Sequence, residues 1–318
     1  MKFLDPNLIH QKAIPLGEGG DGPEQFHLFD EASIAAINAA LAARRPLLVR
    51  GEPGVGKTQL AMAAARQLGR PLDAMTVDSR TESRDLLWQF DAVRRLAQAQ
   101  LCGILKDTAV AEQLLREPRF VTPGPLWWGF DWDDANRHGK DELEAPPRVA
   151  PVGTDPSNGR VVLIDEIDKA DSDVPNGLLE ALGARRFTPP GCPTVVAKGP
   201  PPLVIITTNE ERVLPDAFVR RCLVLHLALP TERNELVQRL VERGIAHFGA
   251  ARASLLKTAA EQLAVDREKS LPPRPGQAEY LDLVRAVLEL AEAQKCAPES
   301  LLESVGRFTL CKQTGGRK

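Results

Sequence analysis

Residues Gly51 to Thr58 read GEPGVGKT and combine three glycines with a lysine and a threonine. Glycine accepts backbone angles that other residues avoid, so such a loop can turn successive N–H groups inward toward an anion. A helix that starts at the lysine adds the partial positive charge of its N-terminus. The full G-x-x-x-x-G-K-[ST] spacing is therefore typical of a phosphate-binding loop. Lys57 is predicted to face the β- and γ-phosphates, and the Thr58 hydroxyl to ligate Mg²⁺.

The pattern predicts a site for ATP and Mg²⁺. A glycine-rich turn that matches by chance is the alternative, but the strand-like PLLV before the loop and the helical KTQLAMAAARQLG after it favour phosphate binding. The residues assigned to nucleotide binding are Gly51, Glu52, Pro53, Gly54, Val55, Gly56, Lys57, Thr58 and Gln59.

A second candidate stretch is VVLIDEIDKA, residues 161–170, in which two carboxylates follow an apolar run. Such a run predicts a buried strand, and ligands of open α/β sheets bind outside the carboxyl ends of the strands. Asp165 is predicted to hold magnesium through its water shell, and Glu166 to orient and deprotonate the attacking water. Acid pairs after apolar strands are also common on surfaces, so this interpretation depends on the phosphate loop upstream.

Short apolar strands alternate with helical stretches around these two motifs, which predicts a parallel sheet covered on both faces. The fold class is accordingly α/β, a P-loop NTPase parallel sheet flanked by helices and followed by a small all-α lid domain. The predicted strands are PLLV, LDAMTV, RVVLID, PLVIITT and CLVLHLAL. The predicted helices are residues 29–45, before the first strand, and residues 57–69, 83–101 and 174–186, between the strands.

Three regions follow from the composition along the chain. Residues 1–27 are predicted to be a leader with a flexible loop at LGEGGDGPEQ, 28–230 the nucleotide-binding domain, and 231–318 a helical lid with a frayed end. Residues 117–160 carry proline and glycine throughout and hold three of the four tryptophans, so they are predicted to be an insertion. The tryptophans beside an acidic run suit a contact with a partner or neighbouring subunit. The alternative is that they pack the insertion onto its own domain.

Composition and charge exclude several classes. A net charge of -3 argues against broad nonspecific nucleic-acid binding. No apolar run approaches the roughly 20 residues of a membrane span, and the N-terminus lacks a secretory signal, so a cytoplasmic location is expected. The five scattered cysteines, Cys102, Cys192, Cys222, Cys296 and Cys311, lack the spacing of a metal site and are expected to be reduced.

The ordered set of motifs resembles the AAA+ ATPases, and within them the MoxR-like branch. GEPGVGKT, VVLIDEIDKA, LVIITTN, LPDAFVRRC and LPPRPGQAEYL follow the family's order across roughly residues 28–290, and FVTPGPLWW is similar to a Gly-Pro segment of this branch. The sequence departs from the pattern at Asp168, where the branch often has Asn. The segment between Asp131 and Asn158 is also longer than is usual there.

The resemblance implies further site residues. Asn209 matches the sensor that helps to place the attacking water, although an Asn after a strand is often only a turn residue. Arg274 matches the second sensor, which reaches the γ-phosphate from the lid, although the prolines around it could mark a linker. Arg221, with Arg220 beside it, matches the arginine finger that serves the nucleotide of the adjacent subunit. The alternative for this pair is two solvated arginines.

Because the finger acts across a subunit interface, the resemblance implies a ring, usually a homo-hexamer. It also implies a separate protein partner, in this branch commonly one with a von Willebrand factor A domain. The leading hypothesis is an ATP-driven, chaperone-like remodeller of that partner. A nucleotide-dependent switch or scaffold with slow hydrolysis, in a bacterial signalling or conflict system, is the second. A DNA-associated motor is disfavoured by the acidic balance and by the lack of a recognisable DNA-binding module.

Overall fold

The computed structural model describes residues 2–10, 12–18, 24–103, 108–270 and 274–310. Pro272, Pro273, Cys311 and the stretch predicted to be frayed lie outside the described residues. Within the described ranges the helices are α1 (Pro6–Ile9), α2 (Glu31–Ala43), α3 (Lys57–Leu68), α4 (Ala92–Cys102), α5 (Thr108–Leu114), α6 (Pro125–Phe130), α7 (Trp132–Leu143), α8 (Asp173–Ala184), α9 (Asp216–Val219), α10 (Arg233–Phe248), α11 (Ala253–Lys269), α12 (Gln277–Gln294) and α13 (Leu302–Thr309). The strands are β1 (Ala13–Glu18), β2 (Glu24–Leu28), β3 (Leu47–Arg50), β4 (Leu72–Thr76), β5 (Trp88–Phe90), β6 (Val121–Pro123), β7 (Val161–Asp165), β8 (Arg186–Phe187), β9 (Val195–Val196), β10 (Leu203–Thr208) and β11 (Leu223–His226).

The chain forms two compact units, and each is described by itself. The first unit comprises the described residues within 1–4, 35–49 and 64–225, and the second those within 5–34, 50–63 and 226–318. The division places the phosphate loop in the second unit and the Asp165–Glu166 pair in the first.

The first unit is built on a five-stranded sheet in the order β11-β3-β10-β7-β4. Strand β7 pairs in parallel with β4 on one side and with β10 on the other. Every residue of β10 and the first four residues of β7 are buried. Strands covered on both faces read as continuous apolar runs, which is why the sequence located both of them. The predicted parallel sheet flanked by helices is confirmed.

Residues 117–160, predicted to be an insertion rich in proline and glycine, contain regular structure, because β6, α6 and α7 lie within them. Pro125 occupies the first turn of α6, where its missing N–H costs no hydrogen bond. Trp127 and Trp132 are only 1% and 4% exposed, and Trp127 belongs to the hydrophobic core of this unit. Trp127 therefore packs the segment onto its own unit, and Trp128 packs, partly buried, against the same core. A partner contact made by the rest of the segment stays a prediction.

Arg148 fixes the irregular second half of this segment. Its guanidinium carbon lies 4.9 Å from the ring centroid of Trp128 and 5.2 Å from that of Trp132. The same guanidinium pairs with the carboxylate of Asp73, which is buried in β4. The backbone N–H of Arg148 donates to Oδ1 of Asn136 at 2.6 Å, so the loop is held from two sides.

The single helix predicted over 83–101 is wrong. Residues Ser83–Leu86 form one 3-10 turn, β5 pairs antiparallel with β6, and α4 begins only after Asp91. The Asp91 side chain accepts a hydrogen bond of 2.7 Å from the backbone N–H of Arg94 and so caps the helix. Trp88 stacks on Phe187, with ring centroids 5.6 Å apart. This packing favours a strand at Trp88, although the apolar residues around it have helical spacing.

The second unit contains the hairpin of β1 and β2 and the C-terminal helices α10 to α13. The loop predicted over 16–25 is wrong where the structure describes it, because residues 16–18 belong to β1 and residues 24 and 25 to β2. Ile14 and Leu16 alternate into the core, a period of two that the glycines beside them obscured. After residue 230 the described elements are all helical, as the sequence predicted.

Two further observations concern the described residues as a whole. No helix among them is long and apolar enough to cross a membrane. The cysteines described, Cys102, Cys192, Cys222 and Cys296, form no disulfide with one another, and Cys102 and Cys222 are buried.

Candidate functional site

The phosphate loop of the second unit has the backbone that its glycines predict. Gly51, Gly54 and Gly56 all have positive φ angles, of 157°, 77° and 96°. A Cβ atom on Gly51 would lie 2.2 Å from the carbonyl oxygen of Leu227, so only glycine fits this close approach. The loop runs directly into α3, which begins at Lys57. The strand–loop–helix context of an anion site is therefore present.

The side chains of the loop divide into buried and accessible groups. Lys57 is 7% exposed, and its Nζ donates to the carbonyl oxygens of Gly51 and Glu52 at 2.8 and 2.9 Å. The ammonium thus lies along the inside of the loop. Thr58 at the start of α3 is exposed, and Gln59 Nε2 donates to Oε1 of Gln25 at 3.3 Å. That Lys57 faces the phosphates and Thr58 ligates Mg²⁺ stays a prediction.

The start of α12 lies against the same loop, within the second unit. The backbone N–H of Ala278 donates to the carbonyl of Gly54 at 3.1 Å, and a Cβ on Gly276 would lie 3.4 Å from the carbonyl of Pro53. Arg274, the predicted second sensor, comes two residues before Gly276. It is exposed, and its Nε donates to the carbonyl of Ser270 at 3.3 Å. The structure therefore brings the segment of Arg274 to the phosphate loop.

The acidic pair of the first unit lies at the carboxyl end of β7. Thr207, on the neighbouring strand β10, connects its two members. The Thr207 hydroxyl donates to Oδ1 of Asp165 and accepts a hydrogen bond of 2.9 Å from the backbone N–H of Glu166. Glu166 itself has a left-handed φ of 60°, which turns its side chain out of the alternation of the strand. Strained backbone of this kind is common at functional sites.

Both carboxylate oxygens of Glu166 have polar partners. Asn209 Nδ2 donates to Oε1 at 3.1 Å, and the ammonium of Lys169 lies 2.5 Å from Oε2. The hydrogen bond to Glu166 and the charge of that carboxylate raise the pKa of Lys169, so the lysine stays a cation. The structure thus brings Glu166 and Asn209 together and adds Lys169, which the sequence reasoning missed.

Asp168, the departure from the MoxR-like pattern, organises the loop that carries Asn209. Its side chain is 2% exposed and accepts hydrogen bonds from the backbone N–H groups of Asn209, at 3.4 Å, and Glu211, at 2.9 Å. A carboxylate offers two acceptor oxygens and no donor, so it can accept both bonds at once. Asp168 therefore holds the loop that carries Asn209.

The two arginines predicted to include the finger follow α9 at the end of its short helical turn. Both are exposed, and no acid among the described residues forms an ion pair with either. Arg45 holds their backbone instead. Its Nε donates to the carbonyl of Arg221 at 3.0 Å, its Nη2 to that of Arg220, and the same Nη2 lies 3.5 Å from that of Cys222. A cation at the C-terminus of a helix satisfies carbonyls that lack partners.

Four residues of this arrangement escaped the sequence reasoning: Thr207, Lys169, Arg45 and Arg267, the last of which contacts Glu52. Thr207 and Lys169 lie within motifs already singled out, and their spacing from Glu166 and Asn209 could have found them. Arg45 and Arg267 act through contacts more than 170 residues apart in sequence. No local pattern marks such residues.

Comparison with known proteins places this arrangement in a family. The AAA domain of the dynein-related subfamily matches residues 46–243, more than half of the 318 residues. The chain belongs to this AAA domain family. AAA+ domains in general are ATPases, and the matched range holds both the phosphate loop and the acidic pair of this AAA domain.

Three solved structures match this AAA domain at low sequence identity. Two single-substitution variants of RuvB from Thermotoga maritima are each 15% identical, with TM-scores of 0.46 and 0.43, over 87% of this chain and 68% and 66% of theirs. A candidate ATPase from Cytophaga hutchinsonii is 16% identical, with a TM-score of 0.39, over 86% of this chain and 66% of its own.

The residues present fit a nucleotide with magnesium. The loop offers inward-curved backbone and a buried lysine, the groups that hold phosphates. In the second unit Thr58 offers a hydroxyl, and in the first unit Asp165 offers a carboxylate; each is a hard oxygen donor of the kind that Mg²⁺ takes beside water and phosphate. No cluster of three or more metal-binding side chains occurs in the described part of the chain. Mg²⁺ needs none, since one or two protein ligands are usual for it.

Proposed function

We propose that this AAA domain hydrolyses ATP, with Glu166 as the general base. The observation that carries the proposal is the pair of contacts at Glu166, whose carboxylate lies at the end of β7 within 3.1 Å of the Asn209 amide. A general base needs a fixed position and a polar neighbour that can hold the water it deprotonates. Asn209 is well placed for that second role.

Each residue of the site has a task in the proposed reaction. Lys57 and the backbone of the phosphate loop bind the β- and γ-phosphates, and Glu166 takes a proton from the attacking water. Thr58 and Asp165 would hold Mg²⁺, which supplies charge neutralisation on the phosphates when bound. Thr207 holds Asp165 and the Glu166 backbone in register, so the two carboxylates keep separate tasks.

The finer part of the proposal is a MoxR-like ring that remodels a separate protein partner. The order of motifs supports the branch, and the exposed Arg220 and Arg221 support a finger that acts on the neighbouring subunit. A homo-hexamer and a partner with a von Willebrand factor A domain follow from that resemblance. An arginine finger contributes about 10³–10⁵ in rate, so isolated subunits are expected to be nearly inactive.

A slow nucleotide-dependent switch is the second candidate, and one observation favours it. The ammonium of Lys169 lies 2.5 Å from Oε2 of Glu166, so a cation already occupies one oxygen of the base. An ATPase whose general base is held in this way hydrolyses ATP slowly until the contact with Lys169 breaks. Steady-state turnover measured with and without partner protein separates the switch from the remodeller.

The test of hydrolysis uses two variants with opposite expected defects. Lys57→Ala should lose ATP binding, because it removes the cation inside the phosphate loop, whereas Glu166→Gln should bind ATP and fail to cleave it. Glu180→Gln changes an exposed acid on α8 in the same way and should behave as wild type. Undiminished turnover in both site variants would exclude the proposal.

A further inference from the structure

Arg267 lies in the last turn of α11 and bridges two parts of the second unit. Its side chain is 13% exposed and pairs with the carboxylate of Glu52 in the phosphate loop. Its Nη1 also donates to the carbonyl of Pro275 at 2.9 Å. One guanidinium therefore connects the phosphate loop with the residue that directly follows Arg274. The planar fork of arginine makes two such bonds possible at once.

The contacts around Arg267 continue along the same two segments. Beyond Pro275, the backbone of Gly276 approaches Pro53, and Ala278 donates its N–H to the carbonyl of Gly54. The Gly276 N–H in turn donates to Oε2 of Glu279 at 2.9 Å, which caps α12. Residues 52–54 thus lie along residues 275–278, with the Glu52–Arg267 pair at one end of the contact.

We propose that Arg267 is a positioning residue, which holds the segment of Arg274 against the phosphate loop through Glu52. The inference rests on the proposed function, because it assigns Arg267 a task in nucleotide binding. Arg267 itself need not touch the nucleotide. Its effect passes through Pro275 to Arg274, and through Glu52 to the loop.

A substitution that removes the charge of Glu52 distinguishes the positioning role from a direct electrostatic effect on the nucleotide. A carboxylate in a phosphate-binding loop repels the ligand, so removing its charge alone should strengthen ATP binding. If Glu52 positions the segment of Arg274 through Arg267, Glu52→Gln should instead weaken ATP binding. The structural role and the electrostatic role thus predict opposite signs for one substitution.

The experiment measures the dissociation constant of ATP by calorimetry in the Glu166→Gln background, where hydrolysis does not interfere. Glu52→Gln and Arg267→Gln should each raise this dissociation constant about tenfold, because each variant loses the charge-assisted contact between Glu52 and Arg267. The double variant should bind ATP no more weakly than Arg267→Gln alone, because Arg267→Gln already breaks the pair with Glu52. Arg285→Gln, which disrupts a 3.7 Å pair with Asp282 on α12, is the matched control and should bind like the background protein.

A second cycle combines Arg267→Gln with Arg274→Ala. Because Arg267 acts through Arg274, the combined loss should be smaller than the product of the two separate losses. Tighter binding in Glu52→Gln, or fully multiplicative losses in this cycle, would overturn the inference. If Arg267→Gln does not fold, Glu52→Gln tests the same pair from its more exposed side, at 44% exposure.

The failure of this inference is distinct from a failure of the proposed function. If Lys57→Ala still binds ATP normally, the phosphate site itself is misassigned. If Lys57→Ala loses ATP while Arg267→Gln and Glu52→Gln bind it as tightly as the background protein, only the role of Arg267 is wrong.

Discussion

Replacing Asp73 by Asn should change how the stability of the first unit depends on pH. Asp73 lies in β4 and is 3% exposed, with Arg148 as its ion-pair partner. Burial raises the pKa of Asp73 from 3.8 to about 6, although the charge of Arg148 and its hydrogen bond oppose the rise. The carboxylate is therefore costly in its charged form, even with a cation beside it.

The size and sign of the effect follow from linkage. An acid whose pKa is higher in the folded state stabilises the fold fully below its unfolded pKa, and that contribution is lost as pH rises through the folded value. For Asp73 the window runs from pH 3.8 to about 6 and somewhat beyond. The difference between the folded and unfolded pKa values corresponds to about 3 kcal/mol in the free energy of unfolding. About 1.4 kcal/mol of this is lost between pH 5 and pH 7.5. Asn cannot titrate, so Asp73→Asn should lack this term.

Tryptophan fluorescence is a suitable probe, because Trp88, Trp127, Trp128 and Trp132 all lie in the first unit. Urea unfolding of wild type and Asp73→Asn at several pH values gives the difference in free energy of unfolding. That difference should shift in favour of Asp73→Asn as the pH rises from 5 to 7.5. Glu180→Gln, an exposed acid in the same unit, should show no such shift. A difference that stays constant, or that moves the other way, would refute the assignment of a buried carboxylate with a raised pKa.

Two further predictions concern residues that touch the proposed catalytic groups. Lys169→Ala should raise kcat severalfold while leaving ATP affinity unchanged, since it frees one oxygen of Glu166; a fall in kcat would mean that the lysine assists the reaction. Arg45→Gln should lower turnover about tenfold or more without weakening ATP binding, because the backbone carbonyls of Arg220 and Arg221 lose their charged donor. Arg44→Gln removes the adjacent exposed arginine and is the control, and equal effects in the two variants would remove the positioning role of Arg45.

The sequence predicted the sheet well because its central strands are buried on both faces. Residues Val161–Ile164 and Leu203–Ile206 form uninterrupted apolar runs, and such runs leave few alternatives. The phosphate loop was equally clear, since its glycines are required by positive φ angles and by close backbone contact at Gly51. In these places, local sequence and fold agree.

The errors occurred where local signals competed. Prolines and glycines between 117 and 160 give no local sign of regular structure, but Pro125 begins a helix and Trp127 in that helix is buried in the core. The partners of Glu52 and of the Arg221 carbonyl, Arg267 and Arg45, lie far away in sequence. A single sequence carries no signal for contacts of this range, because any exposed arginine could make them.

Mixing two inactive proteins tests the central claim, ATP hydrolysis completed by a neighbouring subunit, most directly. Arg221→Ala should keep its phosphate site and lose the finger, whereas Lys57→Ala should keep the finger and lose the phosphate site. Mixed rings would pair an intact phosphate site with an intact finger, so turnover should return when the two are combined, and substituting Arg220→Ala for Arg221→Ala tells which arginine is the finger. If mixed rings form, as shown by co-purification of two different tags, and no turnover returns, Arg221 does not act across the interface.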